Sequence, residues 1–333
     1  MKKRRKKPFI ILAVILVVVL LVAGYIKFFN GSLIYFTTGM KNGELIKTAG
    51  QKITYTCEAD ILMSDVKKEY EEMFGSNIWR EKIGDADFES YIKDQIKSKL
   101  MRVKAMNVKA KERGVVLGRE EKDSVGKAVD AFYNELTESQ ISSTGITKDK
   151  LNTMFTEFAI AQKLYDDLTS SMDIEVSADE ARVIDIQYIV SDSEEDINKA
   201  YNLVNSGSSF FAVAKEYNAD GEYEYELKRS EMDAAFEKAA FNLSTGEMSS
   251  IVEAAGRYYI IRCTSDNDKA KTEVNKSAIL EKRKLEQFNA DFEKYESGIY
   301  MEFNNSEWKK LSIQDAYTLE SSFEDTFNAY FGK

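Results

Sequence analysis

The chain has no histidine, and among its 333 residues only Cys57 and Cys263 are cysteines. Without imidazole there is no serine–histidine or cysteine–histidine pair for nucleophilic catalysis, and the usual nitrogen ligand of zinc is missing. No metal site and no cofactor is expected. Two cysteines so far apart do not make a disulfide framework; they read as two separate small apolar residues or as one bridge formed outside the cytoplasm. The "GVVLG" of Gly114–Gly118 lacks the Lys-Ser/Thr that completes a phosphate loop. Positive charge is scarce beyond the first residues. Lys2, Lys3, Arg4, Arg5, Lys6 and Lys7 take six of the 46 basic residues, and the other 40 face 56 acidic ones, a balance of −16. That excludes nucleic acid as an expected partner, since such affinity rests on neutralising phosphates. An acidic surface keeps a domain soluble and attracts basic partners.

What is present begins with an apolar run. "FIILAVILVVVLLVAGYI", Phe9 to Ile26, carries no charge. At 1.5 Å per residue it spans about 27 Å as a helix, close to the hydrocarbon thickness of a bilayer. The basic block before it stays on the cytoplasmic side, so the segment reads as a single-pass signal anchor over 9–29 with the bulk of the chain extracytoplasmic. Cleavage as a signal peptide is the alternative. "LVAGY" has Tyr25 where a lipobox needs cysteine, which excludes lipidation there.

Helical periodicity follows. Ile92, Ile96, Leu100, Val103 and Ala110 share one face, with Gly114 placed to end the helix. Val125, Val129, Phe132 and Leu136 mark a second helix. Leu151, Met154, Phe158, Ala161, Tyr165 and Leu168 mark a third, with Thr147 as its N-cap. "TESQISSTGIT" reads as the loop between them, and "KITYTCEADI" as a short strand. The pattern changes at Ser177, whose spacing to Glu180 is that of a capping box. "VIDIQYIV" reads as a buried strand. Two helices, a strand in "EYEYELKR", a helix in "MDAAFEKAAFNL" and a last strand in "RYYIIRCT" complete a β-α-α-β-α-β order. Leu285, Phe288, Phe292 and Tyr295 mark a late helix, expected to pack on the earlier ones. The acidic, aromatic tail from Ile313 reads either as disordered or as a loose amphipathic segment.

"VIDIQYIVSD", "SGSSFFAVAKEYN", "EMDAAFEKAAFNLSTGEMSSIV" and "GRYYIIR" together resemble the parvulin-type peptidyl-prolyl isomerases. "NIWREKIGDADFESYIKDQIKSKL", "AKERGVVLGREEKDSV" and "FAIAQKLYDDLTSSMDIEVSADEARV" are similar to the N-terminal chaperone region of the SurA and PrsA foldases. The resemblance implies an α+β protein: a transmembrane helix, then a discontinuous all-α chaperone domain with an inserted parvulin/FKBP-like α+β module. Its expected divisions are a basic segment 1–8, the anchor 9–29, a helical domain 30–176, an isomerase-like domain 177–266, a C-terminal helix 267–312 and the tail 313–333.

The family pairs two histidines across the sheet. The resemblance puts Gln187 and Tyr259 in their places and Asp220 at the family's acid or thiol position. Met232 and Phe236 match the proline slot, Glu224 falls at its leucine and Leu227 at its aromatic residue. Tyr188, Tyr223, Tyr225 and Tyr258 read as exposed amphipathic strand residues, the alternative being a peptide-stacking site. The implied function is a membrane-anchored extracytoplasmic foldase whose partners are unfolded or newly secreted polypeptides. With the histidine pair replaced, a holding chaperone without catalysis stands as the alternative, and an envelope scaffold as a third.

Overall fold

The computed structural model describes residues 39–219, 221–319 and 322–332. The expected anchor at 9–29 and Asp220 lie outside them. Among the described residues no helix is long and apolar enough to cross a membrane. The protein is α+β, with helical regions and an α+β module inserted in sequence. Two compact units divide the chain: residues through Met172 with those from Phe288 onward, and Asp173–Gln287.

In the helical unit, the helix Phe88–Arg113 buries Ile92, Ile96, Leu100, Val103 and Ala110. Asp87 caps its start by accepting from the Ser90 N–H (2.8 Å), and Gly114 ends it in the left-handed region at φ 71°. The helix Arg119–Asn134 turns Val125, Val129 and Phe132 inward, leaving Leu136 just beyond its end. Thr147 caps Lys148–Thr169 by accepting from the Lys150 N–H.

Two segments differ from the sequence reading. "TESQISSTGIT" contains the helix Glu138–Thr144, because Thr137 and Gln140 close a capping box. "KITYTCEADI" is a strand only at Thr54–Tyr55 and then enters the helix Thr56–Phe74. There Cys57, Ala59, Ile61, Leu62 and Met63 are all buried, so the first turns are covered on several sides and show no one-faced stripe.

Glu44–Thr48 pairs antiparallel with Thr54–Tyr55 on one side and Met301–Phe303 on the other, so the C-terminal chain completes a sheet begun near the N-terminus. The described part of the tail is ordered core. Its helix Phe323–Phe331 sets Phe323 4.6 Å from Phe155 and 4.9 Å from Phe158, edge-to-face with the latter. Such aromatic pairs add about 0.5–1.5 kcal/mol each beyond their buried area. Asp65 accepts from the Phe323 and Glu324 N–H groups and anchors that helix's start.

The module contains α1 (Ala178–Ala181), β1 (Ile184–Ser191), α2 (Glu194–Asn205), α3 (Phe210–Tyr217), β2 (Glu224–Leu227), α4 (Ala234–Phe241), β3 (Val252–Ala254) and β4 (Arg257–Ser265). The strands form one antiparallel sheet in the order β2-β1-β4-β3. Ile184, Ile186 and Val190 alternate onto the face that packs on Phe236, Ala240 and Phe241 of α4. Ile189 and Ile260 face Ile197, Ala200, Phe210 and Val213 of α2 and α3 on the other side. The strand β3 was not legible in the sequence, being three residues long. It is joined to β4 through Ala255 (φ 49°) and Gly256 (φ 74°), a two-residue turn with both centres left-handed.

Candidate functional site

A cavity of about 250 Å³ opens on the face of the sheet that carries α4. Phe236, on the first turn of α4, is 1% exposed and forms its base. Its ring meets that of Tyr259 edge-to-face at 5.0 Å and 79°. β1 contributes Tyr188 and Val190, two residues apart and therefore on one face. Val190 lies opposite Tyr259 in the β1–β4 register. Ala219, Tyr225 and Met232 form the remaining wall, with Met232 38% exposed.

The polar groups of this cavity are phenols and one guanidinium. Arg257, on the cavity's wall, donates to Asp192 (2.6 Å) and also engages the Tyr259 phenol. The hydrogen bond to Asp192 is the main reason its pKa is held above the ordinary arginine value. Burial and then Glu231, which accepts the Tyr225 hydroxyl, push that phenol's pKa up. Tyr225 therefore keeps its proton at neutral pH and acts as a hydrogen-bonding group rather than a base. Among the described residues no group of three or more cysteines or carboxylates is arranged to hold a metal.

The structure brings Met232, Phe236 and Tyr259 together around this cavity. Leu227 is fully buried on the same face, opposite Ile184, as core and not as lining. Gln187 and Glu224 are elsewhere. They are partners in the β1–β2 register, and the Gln187 amide donates to the Glu224 carboxylate (3.1 Å) on the face opposite the cavity. Gln187 therefore does not face Tyr259; its neighbour Tyr188 occupies the cavity side. A one-residue shift in matching a strand exchanges its faces, which is the physical reason for the correction. The motif letters aligned Gln187, whereas the alternation Ile184, Ile186, Tyr188, Val190 carries the inward set. Glu224 instead borders a second cavity of about 260 Å³, with Asp185, Glu226 and Thr264.

Tyr188 and Tyr225, expected from the sequence to be exposed strand residues, both border the cavity, and Tyr225 is exposed as expected, at 40%. Tyr223 and Tyr258 pack toward α2 and α3 on the opposite face. Ala219 and Arg257 had no signal of their own; they reach the cavity through a loop and a tight turn.

Residues 190–265 match the family model of the rotamase, PPIC-type PPIASE domain. The chain is similar to the foldase protein PrsA of Caldanaerobacter subterraneus subsp. tengcongensis, with 26% identity over 232 residues, covering 64% of this chain and 70% of that protein. A PrsA of Clostridium botulinum (strain Langeland) is 22% identical over 289 residues, covering 77% and 81%. Among solved structures, a PrsA peptidylprolyl isomerase from Bacillus cereus covers 87% of this chain and 99% of its own at 19% identity, with a TM-score of 0.37.

Proposed function

We propose, from the premise that this chain is a PrsA-type foldase with a parvulin-type rotamase domain, that its cavity grips proline-containing segments of secreted polypeptides and turns their prolyl bonds only weakly. The observation that carries this reading is the placement of Met232 and Phe236 against Tyr188 and Tyr259 around one cavity, inside the segment that matches the rotamase model.

An Xaa-Pro bond prefers trans by less than about 1 kcal/mol, yet exchanges over tens to hundreds of seconds because rotation breaks amide resonance. No covalent bond needs to break. A catalyst has to hold the ring and favour the twisted amide over the planar one. Val190, Met232 and Phe236 supply an apolar wall for a ring. Tyr188 and Tyr259 supply phenols in place of the family's imidazoles. A phenol donates and accepts hydrogen bonds but stays neutral over the pH range in which imidazole changes charge. Binding is thereby retained while the polar assistance available to the twisted amide is reduced.

The test is cis–trans exchange of an Ala-Ala-Pro-Phe peptide followed by NMR with the full chain present. Saturable binding with a small acceleration is expected, both lost in Phe236→Ala. Acceleration equal to that of a histidine-bearing parvulin would overturn the weak-turnover part, and absence of binding would overturn the reading as a whole.

A holding role is favoured by a separate observation in the helical unit. Met73, Phe74 and Ile83 are exposed at and just beyond the end of Thr56–Phe74, where Tyr70 packs on Trp79 and Phe88. Suppression of client aggregation should survive Phe236→Ala and fall in Phe74→Ser. Residues 9–29 are proposed to tether the chain to the membrane with its bulk outside the cytoplasm; retention in the membrane fraction after alkaline extraction, and release when 1–29 are deleted, test this.

A further inference from the structure

Between the cavity and α3 sits one carboxamide that is almost sealed from solvent. Asn218, the residue that ends α3, is 4% exposed. Its Oδ1 accepts from the Val190 N–H (2.9 Å), and its Nδ2 donates to the Tyr188 carbonyl (3.1 Å) and the Glu222 carbonyl (2.5 Å). One acceptor and two donors are what a primary amide offers, and all are used.

The location gives these bonds their consequence. The β2 ladder covers β1 from Ile184 to Gln187, and one further bond joins the Tyr188 N–H to the Tyr223 carbonyl (2.8 Å). Beyond that point β1 has no β2 residue beside it. The Asn218 side chain takes over as a surrogate strand, pairing with the carbonyl of Tyr188 and the N–H of Val190. Those are the two β1 residues that line the cavity, and the next residue in sequence, Ala219, lines it too. Three parts of the wall are thus tied by one side chain that does not itself line the cavity.

We propose that Asn218 is a positioning residue: it fixes Tyr188 and Val190 and the start of the Asn218–Glu222 connection at the spacing the cavity needs to hold a proline segment. This rests on the function proposed above. No shorter polar side chain supplies one acceptor and two donors at once. A carboxylate of the same shape keeps the acceptor but turns an anion toward two carbonyl oxygens, so Asn218→Asp opens the clamp while leaving volume unchanged. Protonation of that carboxyl restores one donor.

The experiment compares wild type, Asn218→Asp and, as a control in the other unit, Asn304→Ala. Asn304 is also a buried amide, accepting from the Glu307 N–H and donating to the Glu44 carbonyl. Two quantities are read well below each protein's unfolding temperature: affinity for an Ala-Ala-Pro-Phe peptide and the ring resonances of Tyr188 and Tyr259. At pH 8, Asn218→Asp is expected to bind at least about tenfold more weakly with displaced ring resonances, and both effects should recede as pH is lowered toward 5. Wild type and Asn304→Ala should show no such recovery. The ionisable neighbours Lys215, Glu222, Tyr188 and Tyr223 are common to all three proteins, so the wild-type profile accounts for them. A purely structural role would lower the unfolding temperature of Asn218→Asp yet leave affinity and ring resonances of the folded protein unchanged at both pH values, and that result overturns the proposal. If wild type binds no peptide, the proposed function fails, and the ring resonances still decide the clamp: displaced at pH 8 and recovering supports it, unmoved refutes it.

Discussion

Phe236 and Tyr259 meet edge-to-face at 5.0 Å, and this contact joins the helix α4 to the strand β4 at the base of the cavity. One ring is core and the other borders the opening, so stability and ligand binding share a contact. Phe236→Ala is expected to cost about 3–5 kcal/mol, the usual range for emptying a buried aromatic site. Tyr259→Phe keeps the ring contact and loses only the phenol that engages Arg257. It should change stability by less than about 1.5 kcal/mol while lowering any acceleration of prolyl exchange. Chemical denaturation and peptide NMR on the two variants separate these effects.

The helical unit holds a buried cluster with a predictable pH response. Lys104 bonds both carboxylate oxygens of Glu157 (2.7 and 2.5 Å) and the Lys52 carbonyl (2.7 Å). Glu58, on the first turn of Thr56–Phe74, has its pKa pushed up to about 8, mainly by burial, against the pull of Lys104 and Lys150 and with Glu157 adding repulsion. An acid whose pKa is raised on folding binds its proton more tightly when folded, so the native state is favoured below the ordinary value of 4.5 and loses that advantage as pH rises through about 8. Glu58→Gln keeps an acceptor for the Tyr55 N–H and removes the ionisation. Its unfolding temperature relative to wild type should be higher at pH 8.5 than at pH 5. Lys104→Met, which strands Glu157, should destabilise by about 3–5 kcal/mol.

The hairpin that delivers Arg257 to the cavity carries local strain. Ala255 sits at φ 49°, where a β-carbon crowds its own backbone at a cost of about 1–2 kcal/mol, while Gly256 at φ 74° takes that region freely. Ala255→Gly should therefore stabilise by up to about 1 kcal/mol, the gain being partly offset by glycine's greater freedom when unfolded. Ala255→Val should destabilise by more. Urea midpoints of the two variants give the comparison.

Pro8 is the chain's one proline. Residues 39–333 therefore have no Xaa-Pro bond to isomerise. Refolding from denaturant should lack the phase of tens of seconds that non-native prolyl isomers produce. A slow phase accelerated by an added prolyl isomerase would contradict this.

The sequence made the long helices legible because Leu151, Met154 and Ala161, or Ile92, Ile96 and Leu100, repeat on a single buried face, and because Thr147 and Gly114 mark boundaries with their own chemistry. Thr56–Phe74 escaped because its first turns are buried on several sides, the polar Glu58 and Ser64 included, so no one-faced apolar stripe marks them. The fold of the tail depends on partners distant in sequence, Phe155, Phe158 and Asp65, that no local pattern records. Around the cavity, Met232, Phe236 and Tyr259 coincide with positions that the motif letters mark, whereas the letters mark Gln187 one residue away from the inward-facing Tyr188. Motif matching tolerates a one-residue slip that a pleated strand does not. Asn218 was invisible for another reason: its role comes from three backbone groups brought to it by the fold.

The most direct measurement is a titration of the isotope-labelled full chain with an Ala-Ala-Pro-Phe peptide, reading which residues respond. Tyr188, Met232, Phe236 and Tyr259 are expected to shift together and saturably, with Gln187 and Glu224 unmoved, and Tyr188→Ala but not Gln187→Ala should weaken binding. Shifts confined to Gln187, Glu224 and the opposite face of the sheet, or no shifts in the module at all, would contradict the assignment of this cavity to proline segments.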